Sequence, residues 1–203
     1  KHPYQHTTLG FYEDIQAMPT RYVYSKEFFK RWYTPDNVMI FVVGDFDDAK
    51  VMQLVEQHYG GWTGKAAKVE VPAEPAQDAA RTATVTWTNP TLPRLGLYWR
   101  TPAASTKTPD AAVMQMLAAY LAGPTSPLYK SLVLEQQLVE SIGPDLGDHR
   151  DPYLFGIRGS LKDEAHRAAV LAAIDAAVAE IAAGKVDAKR VSDIRDNARY
   201  NLL

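Results

Sequence analysis

Histidines are the residues of this sequence best suited to metal binding or acid–base chemistry. No pair of them has the His-Glu-x-x-His or His-x-x-Glu-His spacing that puts two imidazoles and a general base on one helical face. His2 and His6 are four residues apart, a spacing that suits two ligands on a helix, but Pro3 between them disfavours a helix there. We therefore interpret the histidines as structural and keep metal binding at the first pair as the alternative. The five are His2, His6, His58, His149 and His166.

Two glycine-containing segments and several serines have residue types that could bind phosphate or act as nucleophiles. Residues 60–65, Gly-Gly-Trp-Thr-Gly-Lys, resemble a phosphate loop, but the glycines are one residue too close and Ala66 replaces the Ser or Thr that binds magnesium. Residues 123–127, Gly-Pro-Thr-Ser-Pro, lead into a predicted helix, so an anion site is conceivable; chain reversal is the interpretation we favour. No serine lies in a Gly-x-Ser-x-Gly elbow. The sequence therefore predicts no catalytic residue.

Carboxylates and aromatic rings near the start of the sequence allow two further interpretations. The acidic residues Glu13, Asp14, Asp45, Asp47 and Asp48 fall in the first quarter and could form a hard-cation site. Helix capping by the last two accounts for them more simply. Tyr24, Phe28 and Trp32 recur every four residues and form a stripe that we interpret as core and not as a ligand platform.

Composition excludes several classes of function. The 203 residues include 22 Lys and Arg against 24 Asp and Glu, and this near-neutral balance argues against nucleic-acid binding. The chain has no cysteine, which excludes disulfides, thiolate zinc sites and cysteine nucleophiles. No apolar run reaches the roughly 18–20 residues that cross a membrane. Periplasm and cytoplasm both fit, and of the two we favour the periplasm.

Six consecutive apolar residues, 38–43, predict a strand buried on both faces and ended by Gly44. If that strand is central, Ile40→Asp should cost on the order of 3 kcal/mol or more, because an unpaired charge would be buried. A helix with Val51, Leu54, Val55 and His58 on one stripe should follow.

After a proline-containing linker, the rest of the sequence predicts strands followed by helices. Residues 84–87 and 95–99 alternate with period two and predict an antiparallel pair joined through residues 89–93. Helices should follow Thr108-Pro109 and Ser126-Pro127, and residues 138–142 and 153–157 are further strand candidates. The last third is helical, with one inward set for each helix: Val170, Ile174, Val178 and Ile181, ended by Gly184, and then Val191, Ile194 and Ala198.

This order of elements predicts an α+β fold, a mixed, largely antiparallel sheet with helices packed on one face. The predicted domains are residues 1–64, the end of a first subdomain; residues 65–80, a linker; and residues 81–203, a second, non-catalytic subdomain. Lys1 in place of Met, and a helical run without a stop up to Leu203, predict that the sequence is part of a longer protein.

Four stretches together resemble the pitrilysin/insulinase family of zinc metallopeptidases, which includes the mitochondrial processing peptidases. Each stretch is weak alone, but they come in the family's order and cover nearly the whole chain. They are His2-Pro3-Tyr4 with Leu9-Gly10 and Asp14-Ile15; Phe28 and Tyr33-Thr34-Pro35-Asp36-Asn37 running into Val42-Val43-Gly44-Asp45-Phe46-Asp47; Gly123 and Ser126-Pro127-Leu128-Tyr129-Lys130 with Leu132-Val133 and Gln137-Leu138-Val139; and Asp151-Pro152-Tyr153-Leu154-Phe155.

The resemblance implies the family's inactive, non-catalytic domain. The family's zinc motif, His-x-x-Glu-His plus a later glutamate, would lie upstream of His2, so no catalytic, cofactor-binding or metal residue is assigned in this chain, and zinc is expected only in the missing region. The implied role is to form part of a chamber around peptide or unfolded polypeptide, paired with the catalytic half of the same chain or with a second subunit. Extended peptide would bind by adding to a sheet edge.

Two alternatives stay open. Members of the family that have lost the zinc motif serve as structural or assembly subunits, and the residues before Lys1 would separate that role from the enzyme. An unrelated binding module with the same layered architecture is the other alternative.

Overall fold

The computed structural model describes residues 2–201, which divide into two units between Ala83 and Thr84. The first unit contains three α-helices, α1 (Tyr12–Ala17), α2 (Tyr22–Trp32) and α3 (Asp48–Tyr59), with short 3₁₀ turns between them. Asp47 caps α3 by accepting a hydrogen bond from the Lys50 backbone N–H at 2.9 Å. Residues 63–83 form no helix or strand.

The predicted strand at residues 38–43 is wrong for this chain. These residues form no strand, and their exposed fractions alternate between 42–46% at Val38, Ile40 and Val42 and 74–95% at Met39, Phe41 and Val43. A strand exists only when its backbone groups pair with a neighbouring strand, and residues 2–83 provide none. The large loss of stability expected for Ile40→Asp assumed a buried central strand, so it is not expected for this chain alone.

The aromatic stripe of α2 is likewise not a core here. Successive ring centroids of Tyr24, Phe28 and Trp32 lie 6.3 Å apart, so the stripe forms as predicted, but Tyr24 and Phe28 are exposed. Among the described residues of the first unit, Thr34 alone is buried. The apolar faces of these helices therefore have nothing in residues 2–83 to pack against.

A three-stranded antiparallel sheet forms the centre of the second unit. Its strands are β1 (Arg94–Thr101), β2 (Val139–Asp145) and β3 (Tyr153–Leu161), in the order β1-β3-β2. The strand predictions at residues 95–99, 138–142 and 153–157 are confirmed, with longer bounds. The prediction for residues 84–87 is wrong: this segment forms no strand, and β1 pairs with β3 instead. Alternation predicts the two faces of a segment but not its pairing partner.

A β-bulge interrupts β2 near its start. Val139 lies opposite Leu161 and Ser141 lies opposite Ser160, so Glu140 is an extra residue on this strand. Beyond the bulge, Ile142 faces the helices and Ser141 and Gly143 face away from them.

Four helical segments follow or separate the strands. They are α4 (Asp110–Ala122), α5 (Pro127–Tyr129) continuing into a π-helical segment (Lys130–Glu135), α6 (Arg167–Ala182) and α7 (Ala188–Tyr200). Gly184, at φ 75°, ends the Ala-rich helix in the left-handed region, as predicted.

One hydrophobic core joins the sheet to the helices on one of its faces. It contains Leu121 of α4, Leu132, Val139 of β2, Ile157 and Leu161 of β3, and Val170 and Ile174 of α6. Val178 and Ile181 pack against its margin, as the spacings of four, four and three residues from Val170 predict. The α+β class, with helices on one face of an antiparallel sheet, is confirmed.

The last helix is attached through polar contacts as well as apolar ones. The guanidinium of Arg190 lies 4.0 Å from the Tyr120 ring centroid and donates to the Tyr120 carbonyl at 2.6 Å. The Asp187 backbone N–H donates to the Tyr120 hydroxyl at 3.0 Å. Val191 and Ile194 are half-buried, but Ala198, predicted to face inward, is exposed.

Candidate functional site

Each of the five histidines has different contacts in the structure. The His2 ring caps a 3₁₀ turn by accepting from the Tyr4 N–H at 3.1 Å, and His6 lies edge-on to Phe11. His58 belongs to the last turn of α3. The contacts of His2 and His6 are local, and the structural interpretation of these two imidazoles stays a prediction.

The remaining two histidines lie in the second unit and contact neighbouring strands. His149 packs on the Tyr153 ring at a centroid distance of 3.7 Å. The Nδ1–H of His166 donates to the Leu138 carbonyl at 3.0 Å, which ties the start of α6 to the start of β2.

The described part of the chain contains no group of side chains that could bind a metal ion. Within residues 2–201, no three His, Asp or Glu side chains come together in a group that could hold a metal ion. In the acidic first quarter, Glu13, Asp14 and Asp48 lie in first turns of helices and Asp47 is an N-cap. Zinc, which the resemblance implies for the family, therefore has no fitting group of ligands among residues 2–201.

Asp36 has a role that the sequence did not indicate. Its carboxylate accepts from the Thr34 hydroxyl at 2.6 Å and from the Ala66 N–H at 2.9 Å. These two bonds, in that order, hold the pKa of the Asp36 carboxyl below its usual range. Gly64, at φ 142°, approaches Thr34 closely enough that a Cβ would lie 3.2 Å from the Thr34 Cγ2. The segment that resembles a phosphate loop is thus held by this contact.

The turn at residues 123–127 links two helices. Ser126 is fully buried and its hydroxyl oxygen accepts from the Tyr129 N–H at 3.0 Å, capping the short α5. The hydroxyl therefore caps the start of α5, while the Gly123 backbone N–H ends α4 by donating to the Ala119 carbonyl, and both contacts support chain reversal as the use of this turn.

The sheet face that points away from the helices carries a polar arrangement in rows. The register places Arg94, Ser160 and Ser141 in one row across β1, β3 and β2; Gly96, Arg158 and Gly143 in the next; and Tyr98, Gly156 and Asp145 in a third. We call these nine residues the outer face. Sequence alternation indicated that these positions point away from the core, but only the register shows which of them are neighbours.

Glycines on the outer face make room for one aromatic ring. A Cβ at Gly156 would lie 2.5 Å from Cε1 of Tyr98, and a Cβ at Gly96 would lie 2.7 Å from Cε2 of the same ring. The ring can therefore lie close to the sheet only because both positions lack a side chain.

Arg158 connects the three strands across the outer face. Its Nε–H donates to the Tyr98 hydroxyl at 2.8 Å, and its guanidinium forms an ion pair with Asp145. Arg158 thus links β1 to β2 over the central strand.

Next to this arrangement is an open depression of about 390 Å³. It is lined by Arg94, Leu95, Gly96, Tyr98, Ser141, Arg158, Gly159 and Ser160. The lining offers hydrogen-bond donors and positive charge and no carboxylate, so its chemistry favours an anionic ligand group.

The sequence matches a known family model over most of its length. A model described as the Peptidase M16 inactive domain matches residues 25–198. The chain belongs to the M16 peptidase family. The match covers most of both units and confirms the resemblance to the family's inactive domain.

Individual M16 relatives are similar to this chain over much of its length. Zinc protease PqqE of Helicobacter pylori (strain ATCC 700392 / 26695) is 33% identical over 141 residues, which are 68% of this chain and 31% of the relative. The crystal structure of a protease from Helicobacter pylori matches with a TM-score of 0.85 and 27% identity over 99% of this chain and 48% of that one. The chain thus spans about half, or less, of the length of these relatives.

A further solved structure, at lower sequence identity, is similar to this chain in fold. The periplasmic protease PqqL from Escherichia coli matches with a TM-score of 0.66 at 18% identity, over 87% of this chain and 20% of that one. Within residues 2–201, no helix of this M16 domain is both long and apolar enough to cross a membrane.

Proposed function

We propose that this chain is the non-catalytic, chamber-forming half of a zinc-dependent endopeptidase that acts on peptides or unfolded polypeptides. Its partner is the catalytic half, either in the same polypeptide or in a second subunit. The match to the inactive domain of M16 peptidases carries this proposal. A relative named a zinc protease supports it further.

Exposed apolar surface in the first unit supports the pairing with a catalytic half. Met39, Phe41 and Val43 are 74%, 79% and 95% exposed, and Tyr22 and Val23 of α2 are exposed as well. Exposed apolar residues in such number mark sites of association. The period-two exposure of residues 38–43 is typical of a segment ready to pair as a strand, so we infer that a strand of the catalytic half adds to it.

The sheet of the second unit supports the handling of extended peptide. β1 and β2 each pair with β3 on one side and with no second strand among residues 2–201. An edge strand offers unpaired backbone N–H and C=O groups to which an extended peptide can add. The chain itself would contribute shape and peptide contacts, while hydrolysis would depend on the zinc of the other half.

Reconstitution from two polypeptides tests this proposal. Neither the 203-residue chain nor the catalytic half alone should cleave an unfolded peptide, and the mixture should do so in a chelator-sensitive manner. Stoichiometric zinc in the chain alone, or hydrolysis by it, would contradict the proposal. Assembly without hydrolysis would instead favour the structural-subunit alternative.

A pair of variants tests where the catalytic half associates. Val43→Asp should weaken assembly by on the order of tenfold or more, because a charge would be buried at the contact. Val113→Asp is the matched control, since Val113 is also an exposed valine, on α4 of the second unit. Equal effects of the two substitutions would argue against residues 38–43 as the contact.

A further inference from the structure

We propose that the outer face of the sheet binds an acidic side chain of the polypeptide substrate, held between Arg94 and Arg158 above Ser160. This inference rests on the proposed function, because it assumes that the substrate is a polypeptide. It adds a preference for Asp and Glu at one point of the bound chain.

The depression on the outer face is lined by positively charged side chains and not by negative ones. Arg94 and Arg158 line the depression, and no carboxylate lines it. Asp145, the acidic residue of the outer face, is ion-paired with Arg158 on the far side of the depression. Within residues 2–201, no hydrogen bond or ion pair involves the guanidinium of Arg94. The depression therefore keeps a net positive charge.

The two arginines lie close enough to each other to bind one group together. Arg94 lies opposite Ser160 and Arg158 lies opposite Gly96, so the two arginines are diagonal neighbours on adjacent strands, about 7–8 Å apart at their backbones. Both side chains are long enough to reach one group placed between them. The Tyr98 ring occupies the space above Gly96, where a Cβ would lie 2.7 Å from its Cε2, so a group held between the two arginines lies on the Ser160 side of that ring.

The ligand chemistry follows from the donors. Two guanidinium groups and the hydroxyls of Ser141 and Ser160 surround the depression. Guanidinium groups bind planar carboxylates through paired, charge-assisted hydrogen bonds. Among the groups of an unmodified polypeptide, a carboxylate fits this set of donors.

The openness of the site favours a side chain over a chain end. The depression lies on the face of the sheet, with backbone and small residues as its floor, so a polypeptide can run across it in both directions. A carboxylate reaching down from such a chain belongs to Asp or Glu.

Calorimetric titration of the intact protein, with a chelator present to prevent hydrolysis, tests the inference. The probe is an unstructured Gly- and Ser-rich peptide with two adjacent glutamates and an amidated C-terminus. It should bind on the order of tenfold more tightly than the same peptide with glutamines, the gain expected for charge-assisted hydrogen bonds. Arg94→Gln should remove this difference.

Arg100→Gln is the matched control, because Arg100 is exposed on the same side of β1 and lies outside the depression. It removes the same charge and should leave the glutamate preference unchanged. Loss of the preference in both variants would show a general charge effect and overturn the assignment to Arg94 and Arg158.

The remaining outcomes separate this inference from the proposed function. Equal affinity for both peptides in the unmodified protein would overturn the acidic preference and leave peptide binding standing. A glutamine peptide that regains affinity when its C-terminus is a free carboxylate would overturn the assignment to a side chain. If no peptide binds, the proposed function fails together with the inference.

Discussion

The two units are built from similar helices but differ in what those helices cover. In the second unit α6 places Val170 and Ile174, at most 1% exposed, against the sheet. In the first unit α2 has an equally regular aromatic stripe, and none of its residues is buried. The difference teaches that an apolar stripe on a helix does not show by itself which surface covers it, and in the first unit we assign that surface to the proposed catalytic half.

Hydrogen exchange should show the largest difference between the units. Amides of β3 and α6 should exchange only through global unfolding, whereas amides of α2 should exchange on the order of a hundredfold faster or more, because no buried contacts protect them. Adding the catalytic half should raise the protection of α2 and leave that of α6 unchanged. Equal protection of the two helices in the chain alone would break the comparison.

Substitutions in the two units should differ in their effect on the free energy of unfolding. Ile174→Ala removes a buried side chain that is 1% exposed and should lower the free energy of unfolding by about 2–5 kcal/mol. Val43→Ala, at a position 95% exposed, should change it by less than about 0.5 kcal/mol. Urea denaturation followed by circular dichroism measures both. Similar midpoints for the two variants would contradict the assignment of the core.

Glycines on the outer face provide a smaller test within the second unit. Gly156→Ala should cost about 1–3 kcal/mol, because the new Cβ displaces the Tyr98 ring and with it the Arg158 hydrogen bond. Gly143→Ala is the control, since a Cβ there meets no atom within 4 Å. Thermal unfolding of both variants decides whether the ring position matters.

The Asp36 contact predicts a local pH dependence in the first unit. A carboxyl with a depressed pKa stabilises the folded contact above its unfolded pKa, and that stabilisation is lost as the pH falls through the folded value. The Ala66 amide resonance should therefore shift in acid, below the usual carboxyl range. Asp36→Asn should abolish this titration, and an unchanged shift in that variant would assign it to another group.

Ile40→Asp should have the smallest effect in the chain alone. Ile40 is 46% exposed and belongs to no strand, so the free energy of unfolding should change by less than about 0.5 kcal/mol. The larger cost expected for a central strand should appear only after the catalytic half is added. A large loss of stability in the isolated chain would show that residues 38–43 are covered after all.

Where a pattern reports burial within the chain, the sequence was sufficient. Residues 95–99 alternate because one face of β1 packs on helices of the same unit, and the spacings of four, four and three residues from Val170 to Ile181 match the face that α6 presents to the core. These elements could be predicted because the residues that specify them and the surface that covers them lie in one unit.

Other features could not be predicted, for two physical reasons. The six apolar residues 38–43 indicate that both faces need cover but not which polypeptide covers them. Residues 84–87 alternate correctly and still form no strand, because alternation does not select a pairing partner. The contact of Arg158 with Tyr98 and Asp145 depends on register across three strands; glycines at 96, 143 and 156 were the signal that could have indicated it.

The bulge in β2 has a consequence for how the chain tolerates changes in length. Val139 and Ser141 already face opposite sides of the sheet, as neighbours in a regular strand would. Removing Glu140 would therefore keep every later side chain of β2 on its present side, whereas removing Ser141 would take one hydroxyl from the outer face. Of the two residues at the bulge, Glu140 is therefore the one whose deletion keeps both the orientation of the residues that follow and the hydroxyl on the outer face.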